Sequence, residues 1–355
     1  MSANAGGCIA MVLTPRKEAV LQAVIHEYIA TAVPVGSKAV VEKYNLGVSS
    51  ATIRNDMAEL EEYGYLSQPH TSAGRVPTDQ GYRFYVDTLI RIRMLTEAEQ
   101  KRIRLEYESV NHEIEGLLQE TTRVMSLVTG LASLVVAPSL DNSVLRCIEM
   151  VPLSTSKVLM VLVTSAGLVE NRVIDVPFIA DPLELRHICM YINERLQGLR
   201  LATVRQRLLG ERLNQVRTYK RFFDEIFSLV QHILDDRSHE RIYMEGVSNI
   251  ISQPEFQDIQ ALRGIIAVLE GDLALSDLLC QDSDTSINVT IGHENRHDVL
   301  SACSIVTAKY YIDDDLAGSI SIVGPTRMDY VDIIEKVCFT ADNLSRMIRR
   351  IGTAD

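Results

Sequence analysis

Apolar positions recur three and four residues apart over Thr14–Ala32, where Val20, Leu21, Val24, Ile25 and Tyr28 line one face, and this spacing predicts an amphipathic helix. Thr14 followed by Pro15 supplies its entry, a hydroxyl cap before a proline at the first helical position. Val33–Gly36 breaks the pattern. A short helix over Ser37–Tyr44, a turn at Asn45–Val48 and a longer helix over Ser49–Tyr63 follow, with Gly64 in the usual C-terminal glycine position. Tyr65–Gln68 then reads as a short strand, Pro69–Gly74 as a tight loop and Arg75–Val76 as the returning strand. Thr78 caps a further helix on which Tyr82, Tyr85, Val86 and Leu89 form one stripe, and a highly charged helical stretch, Thr96–Leu131, comes next.

From about Leu131 the pattern changes to short β-like runs, Cys147–Leu153, Val158–Thr164 and Leu168–Val176, followed by a helix over Asp181–Leu196. Residues from about Leu199 to Asp284 are mainly helical, with a break at Arg241–Val247. Strand character resumes at Ile287–Ile291, Ala302–Ile312 and Ser319–Val323, before a last helix to Ile351. The plainest architecture is α+β: a small N-terminal unit, then an α+β domain interrupted by an inserted, mainly helical module. The expected boundaries are a leader over 1–12 (Met11 being an alternative start), an N-terminal domain over 13–95, a helical linker over 96–130, the α+β domain over 131–200 and 285–355, and the insert over 201–284.

Helix, short helix, turn, helix, strand, loop, strand is the layout of a winged helix-turn-helix. Its third helix sorts by face. Ile53, Met57 and Leu60 point to a core, while Ala51, Thr52, Arg54, Asn55 and Ala58 lie opposite. Those side chains are small or hydrogen-bonding and suit a major groove: Arg toward guanine, Asn toward adenine, Thr toward either or a thymine methyl. Ser49 or Ser50 caps this helix and turns its free N–H groups toward a phosphate. Ser37 and Lys38 open the preceding helix, where contacts that fix register are expected. The loop His70, Thr71, Ser72, Ala73, Gly74, Arg75 is the wing, with Arg75 aimed at backbone or minor groove, and Arg83 is a further cation within reach of phosphate. The alternative for the same layout is a winged helix used for protein–protein contact.

The overall charge of −12 excludes a general polyanion binder, but residues 13–93 carry nine Lys/Arg against nine Asp/Glu, so the acidity lies elsewhere. The six scattered cysteines, without a Cys-x-x-Cys pair, read as reduced thiols of a cytosolic chain. No apolar run reaches the ~18 residues of a bilayer span, and no secretory core is present, so neither membrane insertion nor secretion is expected. His293-Glu294-Asn295-Arg296-His297 matches the H-E-x-x-H zinc pattern, but it follows a strand ending in Gly292, with no helix to hold both imidazoles one turn apart. It reads as an inter-strand loop. Thr326 and Asp329 fit a capping box at the start of the last helix. No metal, cofactor or enzymatic constellation is expected.

Leu13-Thr14-Pro15-Arg16, Gly36-Ser37-Lys38, Ser49 to Met57, Thr71 to Thr78, Gly81 to Tyr85, Gly167 to Arg172 and Gly324 to Tyr330 together make the chain resemble the bacterial heat-inducible transcription repressor HrcA family, from about Leu13 to the C-terminus. The resemblance implies that the α+β domain is GAF-like and that the insert dimerises. It further implies a homodimer on an inverted-repeat (CIRCE-type) operator of double-stranded DNA upstream of chaperone operons, released on heating and dependent on the GroE chaperonin. Because GAF-like domains hold small molecules in other proteins, a ligand-responsive winged-helix regulator is the second reading.

Overall fold

The computed structural model describes residues 13–70, 73–89, 95–107, 114–137, 143–164, 169–175, 181–211, 224–231, 242–256, 259–269, 285–295, 297–312 and 315–352. The expected leader over 1–12 lies outside them. Thr14 accepts the Lys17 N–H and starts α1 (Pro15–Thr31), which ends at Ala32 in the left-handed region. Helices α2 (Ser37–Lys43) and α3 (Ser50–Glu62) follow, then a hairpin of β1 (Leu66–Ser67) and β2 (Val76–Pro77), with Leu66 opposite Pro77. Val20, Leu21, Val24 and Ile25 of α1, Val40 of α2 and Ile53, Met57 and Leu60 of α3 are all buried together. This is a winged helix. The wing's base is tied to the α1–α2 connection, since Val35 and Arg75 exchange two backbone hydrogen bonds of 2.8 Å. A Cβ on Gly74 would lie 2.4 Å from the Val35 carbonyl, so only glycine permits that approach. Thr78 then caps α4 (Asp79–Phe84), which runs on as a π turn over Tyr85–Leu89.

The charged stretch divides into α5 (Glu97–Glu106), opened by a Thr96–Glu99 capping box, and α6 (Ile114–Thr129). The second of these buries Leu117, Leu118, Val124 and Met125. Its surface charge conceals a stripe at i, i+1, i+7 and i+8, so this part of the expected linker is core. After β3 (Ala132–Val136), strands β4 (Leu145–Pro152), β5 (Lys157–Thr164) and β6 (Val169–Asp175) pair antiparallel as a separate sheet. Helices α7 (Pro182–Leu196), α8 (Leu201–Glu211) and α9 (224–231) share a core with one face of that sheet through Ile148, Met160, Leu162, Ile188, Val204 and Ile226.

The chain then returns. β7 (Ile242–Glu245) lies beside β3, and α10 (Val247–Ile251) and α11 (Ile259–Leu269) precede β8 (Ile287–Ile291), β9 (Cys303–Ile312) and β10 (Asp315–Pro325). These form a five-stranded antiparallel sheet, β7-β3-β10-β9-β8. One face packs on α6 and α12 (Tyr330–Gly352); the other packs on α10 and α11 through Ile250, Phe256, Ile265 and Leu269. The interruption therefore falls earlier than its expected limits. The strands β4–β6 do not join the sheet of Ile287–Val323; they form a sheet of their own that shares its core with 182–231. The four described cysteines are free thiols.

Candidate nucleic-acid interface

The third helix positions its side chains by one cap and one seam. Ser49 accepts the Thr52 N–H at 3.2 Å and lies 3.0 Å from Thr52 Oγ1, so both hydroxyls sit at the helix entry. Ser50 Oγ is 2.9 Å from Ser37 Oγ, which ties the first turn of α3 to that of α2. With Ile53, Met57 and Leu60 buried beneath, Ala51, Arg54 and Asn55 are exposed, and Thr52 and Ala58 are half-buried. The side chains of Arg54, Asn55 and the exposed Lys38 make no hydrogen bond or ion pair with any described residue. Unpaired donors and acceptors on a protruding helix face can pair with a ligand at no cost to the fold.

The acidic half of α3 is neutralised from two neighbouring elements. Asp56, 2% exposed, accepts Arg16 Nε at 2.8 Å and Arg16 Nη2 at 3.0 Å. Lys17 pairs with Glu59 and lies 5.4 Å from the Tyr63 ring centroid. Hydrogen bonding to these carboxylates raises the pKa of Arg16 and of Lys17. Arg75 Nη2 is 2.8 Å from Glu61 Oε2. The wing arginine is thus folded back on α3, and a phosphate reaching it would compete with Glu61. His70 is exposed at the wing, while Thr71 and Ser72 lie outside the described residues. Arg83, an expected phosphate contact, is engaged by Glu294, Asp87 and the Val289 carbonyl and is not available as one.

The pattern reading missed Arg16 and Lys17, although a basic pair directly after a Thr-Pro helix entry is the available signal. The loop reading of the H-E-x-x-H string matches the structure: Gly292–Glu294 is a single 3₁₀ turn. Its His293 and Glu294 contact α4, and among the described residues no group of three or more His, Cys, Asp or Glu is placed to hold a metal. The Thr326–Asp329 capping box is corrected. Asp329 Oδ1 accepts the Asp332 N–H at 3.2 Å, whereas Thr326 accepts the Tyr330 hydroxyl through its carbonyl. Among the described residues no helix is long and apolar enough to cross a membrane.

The family model for the HrcA protein C-terminal domain matches residues 115–334. A heat-inducible transcription repressor HrcA of Pelotomaculum thermopropionicum is 38% identical over 342 residues, covering 96% of this chain and 98% of its own length. Its counterpart in Symbiobacterium thermophilum is 40% identical over 335 residues, 94% and 98% of the two chains. A crystal structure at 2.2 Å described only as a hypothetical protein aligns with TM-score 0.64 and 24% identity, covering 96% of this chain and all of the other, which shows a shared fold.

Proposed function

The chain belongs to the HrcA family of heat-inducible transcription repressors, and from that premise we propose that it represses by laying the N-terminal face of α3 in the major groove of an operator half-site. It is a regulator and not an enzyme, and DNA is its partner. One observation carries the docking: Arg54 and Asn55 stand unpaired on the exposed face of a helix whose opposite face is buried. Arg54 and Asn55 read bases, with Thr52 beside them. Ser37, Lys38, Ser49 and Ser50 meet phosphates at the two helix entries, and His70, Thr71, Ser72 and Arg75 follow the adjacent backbone from the wing.

The repressor acts as a homodimer on an inverted repeat, with half-site centres about 34 Å or a multiple apart. The outer face of the β4–β6 sheet supports that assembly. Its rows read Val151-Leu159-Val173, Glu149-Val161-Asn171 and Cys147-Val163-Val169, with Lys157 opposite Asp175 at one end, so seven of eleven outward positions are apolar, with Val151, Val169 and Val173 exposed. A second copy of this sheet covers such a face in the usual isologous manner. We divide the chain accordingly into a winged helix over 13–89, a GAF-like body over 114–137 and 242–352, and a dimerising unit over 143–231. Heating releases the operator and GroE restores the competent fold, as the family resemblance implies.

Mobility shift on an operator and single-base variants tests the docking. Arg54→Ala is expected to lose about 1–3 kcal/mol of discrimination at one position of each half-site, and Lys38→Ala to weaken all sequences alike. Unchanged base preference in Arg54→Ala overturns the docking.

A further inference from the structure

Two strings that carry no part of the DNA-reading face, Gly81 to Tyr85 and Gly324 to Tyr330, meet where the winged helix rests on the body. Tyr82 and Tyr330 pack ring against ring there, with centroids 5.7 Å apart. Two polar clamps also join the winged helix to the body. In the first, Arg83 Nε is 2.8 Å from Glu294 Oε1, its Nη2 reaches the other Glu294 oxygen and sits 2.5 Å from the Val289 carbonyl, and its Nη1 is 3.2 Å from Asp87 Oδ1. Glu294 is itself fixed, since its Oε2 accepts the Ile291 N–H at 2.9 Å. One turn earlier on α4, Asp79 Oδ2 accepts the His293 N–H at 2.9 Å and lies 2.7 Å from His293 Nδ1. Gly292 makes room for it: its φ is +55°, and a Cβ there would sit 2.2 Å from that carboxylate oxygen. In the second, Arg327 pairs with Glu255, donates to Gln253 Oε1 at 3.1 Å and reaches the Ile29 carbonyl of α1 at 3.3 Å.

A single apolar contact leaves a docked domain free to swivel about it. Here two planar guanidinium forks grip the joint, one extending from α4 into the body and one from the body to α1, and each fork has fixed directions. Together they remove both tilt and twist.

We infer that Arg83 and Arg327 are positioning residues that lock the orientation of α3 on the body and thereby set the half-site spacing the dimer accepts. They touch no base. The inference rests on the homodimer reading, because spacing has meaning only for two heads held by one assembly.

The test is a series of inverted-repeat duplexes whose spacer is lengthened and shortened one base pair at a time, with a single half-site duplex as reference, titrated against the full chain by fluorescence anisotropy. The unaltered chain is expected to have one sharp spacer optimum. In the double variant Glu294→Gln/Arg327→Gln the competent orientation becomes a minority; at one-tenth occupancy, affinity at the optimum falls about tenfold and the profile flattens, while half-site affinity stays the same. Arg83→Lys, which keeps the charge but not the fork, is expected to fall between. Should the double variant fail to fold, Glu294→Gln alone carries the test, since Glu294 is 36% exposed and its loss leaves the ring pair in place. An equally sharp profile in the folded variant overturns the inference and leaves the dimer reading intact. Parallel loss of half-site and operator binding also overturns it. A flat profile in the unaltered chain overturns the dimer reading, and the inference with it.

Discussion

Tyr82 and Tyr330 are a matched pair with opposite hydroxyl environments, and they give opposite expectations for the same substitution. Both rings are under 2% exposed. Tyr330 Oη lies 2.7 Å from Ser304 Oγ and donates to the Thr326 carbonyl at 2.6 Å. Tyr82 Oη is buried and has no hydrogen-bond partner among the described residues. Burial pushes both phenols up, so neither ionises under assay conditions. An unsatisfied buried hydroxyl costs about 1–3 kcal/mol in desolvation, and Tyr82→Phe removes it while keeping the ring contact. The expected gain is about 1–2 kcal/mol, or roughly 2–8 °C in Tm for a unit of 150–250 residues. Tyr330→Phe strands the Thr326 carbonyl and is expected to lose about 1–3 kcal/mol. Calorimetry on both variants at one protein concentration reads the difference. A Tyr82→Phe chain that melts lower than the parent refutes the assignment, because its hydroxyl would then have a partner.

Three other predictions follow from single environments. Asn295 is buried, with Nδ2 directed at the Gly292, Leu300 and Cys303 carbonyls and Oδ1 accepting from Thr290 Oγ1. Asn295→Ala is expected to destabilise the β8–β9 connection by about 2–4 kcal/mol in denaturant titration. Burial lowers the His26 imidazole pKa below 6.5, with Asp329 pulling weakly the other way. A depressed folded pKa means that the stability is present above pH 6.5 and lost as pH falls, so His26→Gln should flatten the acid limb of a Tm-against-pH curve. Burial pushes the Cys303 thiol up to about 12, so iodoacetamide at pH 8 should leave it unlabelled in the folded chain, and stability should decline as pH rises from 9 toward 12.

The winged helix was legible because its signals are local: a threonine before a proline, a serine cap, a C-terminal glycine and a three-residue apolar spacing all lie within one short window. The partition of the body was not. Nothing within Ala132–Val136 says that its neighbours will be β7 and β10 from more than a hundred residues later, and the strands nearest to it in sequence pair among themselves. Strand alternation gives a face, not a partner. The break at Arg241–Val247 contains the strand β7 (Ile242–Glu245), too short to stand out against its flanks. Likewise α6 was hidden by averaging, since its charged residues share the window with a fully buried stripe. At the site, face sorting on α3 was readable from a helical wheel. The pairing of Asp56 with Arg16, 40 residues away, was not.

Those pairings resolve how a chain of net charge −12 meets a polyanion. Helix α3, the proposed recognition helix, carries four carboxylates, at 56, 59, 61 and 62, and only one arginine. Left bare, they would repel phosphates at the mouth of the groove. Arg16, Lys17 and Arg75 each neutralise one of the first three, and they come from α1 and the wing rather than from α3 itself. Beside Arg75, which Glu61 holds until a phosphate displaces it, the proposed DNA-facing surface is therefore left with Lys38, Arg54 and the helix-entry N–H groups as its positive features. Attraction confined to so small an area does little on random duplex, where affinity rises with the number of phosphates neutralised. In the proposed dimer, binding then depends on base contacts and on both heads engaging at once. In such a protein the geometry of the joint at Arg83 and Arg327 bears on selectivity as directly as any residue in the groove.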